Sequence, residues 1–496
     1  MEISVENRNF EMYLKNAGWG FYNKIILSMT CICSLINSIT FVSFPLSLAL
    51  SSCEPLSIPK PFILKIFATF YFGSAFGSII MASLCDRYGR KKYLIYGLIC
   101  TFMSTFASAF AYSLYIINIA AIFLGVGLET SRLTSKLLLG ELLPKERRGF
   151  YLVLYDAIGI FGYVLATVLV ILLETPTVLG GKNHPHSLSS WRIILAVCGG
   201  MNLVLACACA LLEESPRYFL HMNRNYLAFL ILKQTYAINK SSFADYFEVT
   251  EEEMKGLIKG YNMNYIEPMS ILDTFTKLCW RWWMAMKLML SSRFRNITVV
   301  LVLMKTFVII FGCFQLNTIL SKNLTSKIAG QSENKITGLN FVYPVYDVVT
   351  YRNHMFDKEN MKRNMCSAHR ENRIYYENIL LFTSTMLPGI LLCMLAVDTL
   401  GRKPILFSGF LISTCCFLLF DYLRLNLFKL LCCCLIAFAF PAIRSTISLI
   451  GIESYPTAIR GNAWGLTSFL GNFLSLFIVV FAIVDMKELE LIPSDP

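Results

Sequence analysis

The chain has 496 residues, 56% of them hydrophobic and only 15% charged, with a formal net charge of +12. That balance is too apolar for a soluble domain, and the apolar residues fall in runs of roughly 20, the length that crosses a bilayer as a helix. The positive charge lies in short gaps between those runs (DRYGRKK, PKERR, GRKP), a positive-inside pattern that points to a lipid bilayer and away from nucleic acid as a partner.

In chain order, residues 1–23 are polar and lack a small-residue cleavage site, so they read as a cytosolic N-terminus ahead of a retained first span. Spans are expected at 24–50, 61–85, 92–112, 114–139, 150–173 and 191–213, which makes 24–213 an N-terminal six-helix bundle. Residues 214–295, with an acidic TEEE run and a WRWW patch, read as a cytosolic linker. Further spans at 296–318, 377–397, 404–423, 427–452 and 462–484 give a second bundle over 296–484, interrupted by an external loop at 319–376 and followed by a tail, 485–496. The basic gaps after spans 2, 4, 8 and 10 set those loops in the cytosol. The external loop holds the glycosylation sequon Asn323-Leu324-Thr325, whereas the sequons at Asn239 and Asn296 fall on the cytosolic side, where they are not modified. Most of the 17 cysteines sit inside apolar runs with no histidine at ligand spacing, so they read as small packing residues and not as a metal site.

The chain repeats itself. Gly77 to Lys92 (GSIIMASLCDRYGRKK) returns 312 residues later as GILLCMLAVDTLGRK, so that Gly77, Asp86, Gly89 and Arg90 correspond to Gly389, Asp398, Gly401 and Arg402. The same shift carries Glu141, Pro144 and Gly149 (ELLPKERRG) onto Glu453, Pro456 and Gly461 (ESYPTAIRG). Two motifs sharing one offset mark an internal duplication, a sign of a transporter in so apolar a chain. Each residue type has a physical use. Gly77 lets helices approach closely, Gly89 permits a tight turn, and Asp86 suits the N-terminus of a neighbouring helix, such as that of span 11 beginning near Gly461–Asn462. Arg90 and Arg148 suit acids such as Glu141.

This repeated frame resembles the loop signature of the major facilitator superfamily. Glu213-Glu214-Ser215-Pro216-Arg217-Tyr218 resembles the ESPR element of its sugar-porter and organic-ion branches, and the stretch that follows is most similar to the synaptic vesicle glycoprotein 2 group and its SVOP-type relatives. The resemblance implies an all-α polytopic fold of two pseudo-symmetric bundles, spans 1, 4, 7 and 10 around a central cavity, and a gate formed by Gly77, Asp86, Gly89, Arg90, Glu141, Arg148, Asp398, Gly401, Arg402, Glu453 and Arg460. Three departures stand out. Eleven spans are expected where the family has twelve: the DMKELELIPSDP end holds no further apolar run, so the twelfth is either absent or lost by truncation or mis-splicing of the sequence. The stretch of span 1 that carries acids in the subgroup is Leu35-Ile36-Asn37-Ser38-Ile39-Thr40, and the span 4 arginine of the subgroup is replaced by Ala121.

Charges within spans are costly unless paired or functional. Span 4 carries Glu129, Arg132 and Lys136 on one helical face, span 7 carries Lys305 and span 10 carries Arg444. The 312-residue shift maps Arg132 onto Arg444, and each lies nine residues from its motif glutamate, about 13 Å along a helix and near the bilayer midplane. Two readings stand. Arg132, Lys305 and Arg444 converge with Glu129 and Asn317 to bind an anionic substrate, or Glu129 neutralises Arg132 within its own helix while Arg444 caps carbonyls. Asp156 in span 5 reads as the partner of a cytosolic arginine in preference to a proton carrier. No phosphate-cradling loop, paired catalytic carboxylates or nucleophilic triad is present, so the chain reads as neither an enzyme nor a cofactor binder. The expectation is a multi-pass protein of the plasma or a vesicle membrane that carries a small organic ion, anion preferred, with or without a coupling ion. The alternative is a non-transporting membrane glycoprotein of the same fold.

Overall fold

The computed structural model describes residues 12–50, 60–143, 148–173, 190–222, 224–240, 276, 280, 282–284, 286–292, 294–320, 369–420, 422, 426–455 and 457–491. Among these residues the regular structure is helical. The helices are α1 (Phe21–Leu50), α2 (Lys60–Tyr88), α3 (Arg90–Ala109), α4 (Leu114–Leu142), α5 (Arg148–Leu173), α6 (Ser190–Cys209), α7 (Pro216–His221), α8 (Asn225–Lys240), α9 (Arg295–Leu320), α10 (His369–Ala396), α11 (Arg402–Phe420), α12 (Asn426–Ser454) and α13 (Thr457–Leu491). All but the short α7 and α8 coincide with the eleven expected spans. Eight of the eleven are apolar and long enough to cross a membrane by length and composition alone.

Three boundaries differ from those read in the sequence. Helix α6 stops at Cys209, and a turn intervenes before Ser215 and Pro216 open α7, because proline at the first helical position starts a new helix. Helix α10 begins at His369, inside the expected external loop. Helix α13 runs on to Leu491 through the expected tail, whose Lys, Glu and Leu residues are strong helix formers. The sequon at Asn323 lies outside the described residues. Asn239, in α8, spends its side chain on the entry to α1: it accepts from Tyr22 N at 3.0 Å and donates to Gly18 O at 2.9 Å.

The first half packs α2 and α3 on α4, with α1 against α5 and α6; the second packs α10 and α11 on α12, with α9 against α13. The halves meet chiefly along two crossings, α2 with α13 and α5 with α10, which exchange under the 312-residue shift. Duplicated glycines permit equivalent close approaches within each half. A Cβ on Gly77 would lie 2.8 Å from Val126 Cα, and one on Gly389 would overlap the carbonyl of Phe438, the shifted equivalent of Val126.

The repeated aspartates tie the halves together. Asp86 at the end of α2 accepts from Asn462 N at 3.0 Å and Asn462 Nδ2 at 3.2 Å, at the start of α13. Asp398, just after α10, accepts from Phe150 N at 3.0 Å, at the start of α5. Each carboxylate thus accepts from a backbone amide in the N-terminal turns of a helix from the other half. Gly461 and Gly149 are the residues facing these carboxylates, and a Cβ on either would strike one. Arg90 joins Asp86 (3.3 Å) to Glu141 (3.1 Å), and Arg460 reaches Glu141 at 3.9 Å. Arg402 joins Asp398 (3.5 Å) to Glu453 (2.9 Å) in the same pattern. Arg148 donates to Leu143 O at 2.9 Å.

The two ties differ in burial. Arg90 and Glu141 are fully buried (0% and 0%), whereas Arg402 and Glu453 remain 29% and 27% exposed. The difference comes from the ESPR element. Glu214 accepts from the backbone amides of Arg90 (2.9 Å), Lys91 (3.0 Å) and Ser215 (3.1 Å), capping α3 and covering the turn at Gly89. Burial lifts the Glu214 carboxyl above the usual carboxylate range, against the pull of Arg90 and these amides. Gly89 (φ 112°) and Gly401 (φ 86°) both take the left-handed turn, but a Cβ on Gly401 would meet open space.

Replacing Gly389 by alanine is expected to lower thermal stability in detergent by about 1–3 kcal/mol, since the Phe438 backbone has no room to retreat. The two motif arginines should separate in the same assay. Arg90→Ala strands a buried carboxylate and costs about 3–5 kcal/mol, while Arg402→Ala costs about 1 kcal/mol or less. Equal losses would show that burial does not govern the two ties.

Candidate functional site

Between the halves, away from these ties, a cavity is lined by α1, α2, α4, α5, α9, α10, α12 and α13. Six charged side chains line it: Glu129, Arg132 and Lys136 from α4, Asp156 from α5, Lys305 from α9 and Arg444 from α12. The spacing in α4 turns its three charges inward on one face. The structure therefore brings Arg132, Lys305, Arg444 and Glu129 together. Helix α9 contains Asn317, whose side chain lies outside the described residues.

The charges do not cancel. Arg132 pairs with Glu129 one turn away at 3.7 Å and lies over the Phe41 ring at 5.4 Å. Lys136 pairs with Asp156 at 2.5 Å and also donates to Ser448 of the opposite half. The remaining two cations are held by neutral groups. Arg444 donates to Tyr163 Oη at 2.9 Å. Lys305 donates to Thr467 Oγ1 (3.1 Å) and Trp464 O (3.2 Å), with its ammonium 3.6 Å from the centre of the Trp464 ring. Four cations against two carboxylates leave the lining with an excess of two positive charges. Among the described residues, neither Arg444 nor Lys305 has a carboxylate within ion-pair distance.

Two neutral donors add to this. Ser468 Oγ and Asn472 Nδ2 on α13 are buried, line the cavity and have no hydrogen-bond partner among the described residues. Buried polar atoms are nearly always satisfied, so orphans facing a cavity mark places for a ligand or water.

The sequence reading placed Asp156 against a cytosolic arginine; that is corrected. Its partners are Lys136 and the hydroxyl of Ser445 (2.6 Å), because its helix face turns inward to α4 and α12 and not toward the motif loops. Tyr163, Trp464, Ser448, Ser468 and Asn472 were not picked out from sequence. Ser448 had a signal, being the shifted equivalent of Lys136, and Tyr163 follows Asp156 by seven residues on one helical face. Neither Trp464 nor the α13 donors had one. In α1, where the subgroup carries acids, Asn37 accepts from the Ser131 hydroxyl at 3.0 Å, a neutral contact.

Comparison with known proteins follows the same lines. A family model described as Sugar (and other) transporter matches residues 26–324. Synaptic vesicle glycoprotein 2B of Rattus norvegicus is 29% identical over 203 residues, which are 40% of this chain and 29% of the relative. The major myo-inositol transporter IolT of Bacillus subtilis (strain 168) is 27% identical over 163 residues, 33% of each protein. The low-affinity glucose transporter HXT3 of Saccharomyces cerevisiae is 32% identical over 154 residues, 31% of this chain and 26% of the relative. The chain thus spans about a third of the length of the curated relatives it matches. Among solved structures, the major facilitator superfamily proton:xylose symporter XylE bound to 6-bromo-6-deoxy-D-glucose is similar with a TM-score of 0.65 at 16% identity, over 94% of this chain and 90% of that one, which is likeness of fold. The repeated motifs, the two crossings and the family match agree: the chain belongs to the sugar (and other) transporter family and has the major facilitator fold, with the synaptic vesicle glycoprotein 2 group among its relatives.

Proposed function

We propose that this protein is a secondary transporter that moves a small organic anion by alternating access around the central cavity, and that the anion is of the polyhydroxylated, sugar-acid kind. One observation carries the reading: among the described residues, Arg444 and Lys305 face the cavity with hydrogen bonds to neutral groups only. Uncompensated cations at membrane depth are costly, and a bound carboxylate or phosphate removes that cost through charge-assisted hydrogen bonds. Arg132, its charge shared with Glu129, stands at the shifted position of Arg444 and supplies a second guanidinium. Ser468 and Asn472 suit the hydroxyls of such a substrate. Relatives named for myo-inositol and glucose support a polyol body.

The aspartate ties act as the gate at the cytosolic end. When they are made, the cavity is closed to the cytosol, and opening it requires both carboxylates to leave their helix termini. The half-exposed Asp398–Arg402–Glu453 tie parts first, since water can replace its contacts, and the buried Asp86–Arg90–Glu141 tie follows. The N-terminus is cytosolic on this reading, and the protein resides in the plasma membrane or in vesicles. A second reading, a non-transporting membrane glycoprotein, draws on the similarity to synaptic vesicle glycoprotein 2B.

The test is uptake of labelled glucuronate, glucose and myo-inositol by vesicles reconstituted with the full chain. Saturable glucuronate uptake is expected, falling about 10-fold or more in Arg444→Gln, as for a lost hydrogen bond to a charged group of about 1.5–3 kcal/mol. Uptake of the neutral sugars alone, unaffected by Arg444→Gln, would overturn the anion assignment. No saturable flux of any of the three would favour the second reading.

A further inference from the structure

The lining of the cavity is sorted by depth. Arg132, Lys305 and Arg444 each lie ten residues from the end of their helix nearest the aspartate ties, about 15 Å along the axis. The other three charges, Glu129, Lys136 and Asp156, lie within thirteen residues of that end. The orphan donors follow on α13, Ser468 at eleven residues and Asn472 at fifteen. From seventeen residues onward, every lining side chain among the described residues is apolar or aromatic. Helix α1 supplies Phe41, Leu46 and the two lining residues between them, α2 supplies Phe70 and Tyr71, and α10 supplies Ile379. Rings join the layers. Tyr163, which accepts from Arg444, has its ring 6.2 Å from that of Phe41, and the Arg132 guanidinium lies 5.4 Å from the same Phe41 ring. Phe41 is in turn 6.0 Å from Phe70, and Phe70 is 5.6 Å from Tyr71. An aromatic run thus leads from the two guanidiniums into the apolar layer. Hydroxyls set against that layer would lose water without gaining partners, so it suits a part of the ligand that has none.

From this sorting we infer that the cavity takes a sugar acid bearing an apolar group, a glycosidic conjugate of the aryl or alkyl glucuronide kind. Its carboxylate sits on Arg444 and Lys305, and its apolar group lies against Phe70 and Tyr71. The inference rests on the anion reading above and names the substrate class within it. Both cations give the carboxylate charge-assisted hydrogen bonds. The ring hydroxyls meet Ser468 and Asn472, whose polar atoms are otherwise without partners among the described residues. The group on the anomeric carbon leaves water for the rings of α1 and α2 and adds affinity in proportion to the apolar area covered. Neither part of the ligand fills the cavity alone. A neutral glycoside leaves Arg444 and Lys305 uncompensated, and a free sugar acid leaves the apolar layer uncovered. The sorting also orients the ligand, since reversing it would set the carboxylate in the layer where no lining side chain among the described residues is charged.

Calorimetric titration of the purified full chain in detergent tests this, with glucuronate, phenyl glucuronide and phenyl glucoside as the probes. Phenyl glucuronide is expected to bind about 10-fold or more tightly than glucuronate, the effect of covering an aromatic ring, and more tightly than phenyl glucoside. Affinity should also rise from methyl to butyl glucuronide, a comparison that needs no variant. In Arg444→Gln, glucuronate and phenyl glucuronide should weaken by the same factor, whereas Phe70→Thr should bring the ratio of their affinities toward one. If glucuronate binds and phenyl glucuronide binds no better, or if affinity does not rise along the alkyl pair, the conjugate assignment is overturned and the anion reading stands. A ratio of about 10 that survives Phe70→Thr overturns it too, because the apolar group then sits elsewhere. Failure of both acids to bind, or phenyl glucoside binding as tightly as phenyl glucuronide, would overturn the anion reading and this assignment with it.

Discussion

Two carboxylates set against two helix N-termini hold this molecule in the form seen here. Asp86 accepts from the Asn462 amide in the second turn of α13 and Asp398 from the Phe150 amide in the first turn of α5, so each half closes on the other through a carboxylate near a helix N-terminus. Everything around these contacts is shaped to let them form. Gly461 and Gly149 leave room for the carboxylates, and the α2–α13 and α5–α10 crossings bring the helix ends to them. The cavity lies between the halves, away from these ties.

The duplication that produced the ties did not keep them equal. In the first half, Glu214 covers the turn and caps α3, so the Arg90–Glu141 pair is dry. In the second, the corresponding pair keeps about a quarter of its surface in solvent. An ion pair with water at hand separates at small cost, while a dry one does not. The exposed tie therefore separates at smaller cost than the buried one.

Divergence at equivalent positions also shapes the cavity. Arg132 and Arg444 remain arginine in both halves, but one has an acid beside it and the other has the Tyr163 hydroxyl. Lys136 and Ser448, equivalent under the same shift, touch across the interface instead of repeating one another. That single change converts a symmetric pair into an ion pair in one half with a hydroxyl ligand in the other. The excess of positive charge follows from such substitutions and not from the fold.

Much of this was legible in the residues alone. The eleven helices, the duplication and the shared face of Glu129, Arg132 and Lys136 follow from apolar run length, repeat spacing and helical periodicity. All of these are local or translational properties of a chain. The partner of Asp156, the Trp464 ring under Lys305, the orphan donors Ser468 and Asn472 and the unequal burial of the two ties were decided by the tertiary structure. Each depends on which faces of helices distant in sequence come to oppose one another, and on small helix rotations that exchange one partner for another. Periodicity gives the direction of a side chain from its own helix axis; only packing decides what stands opposite.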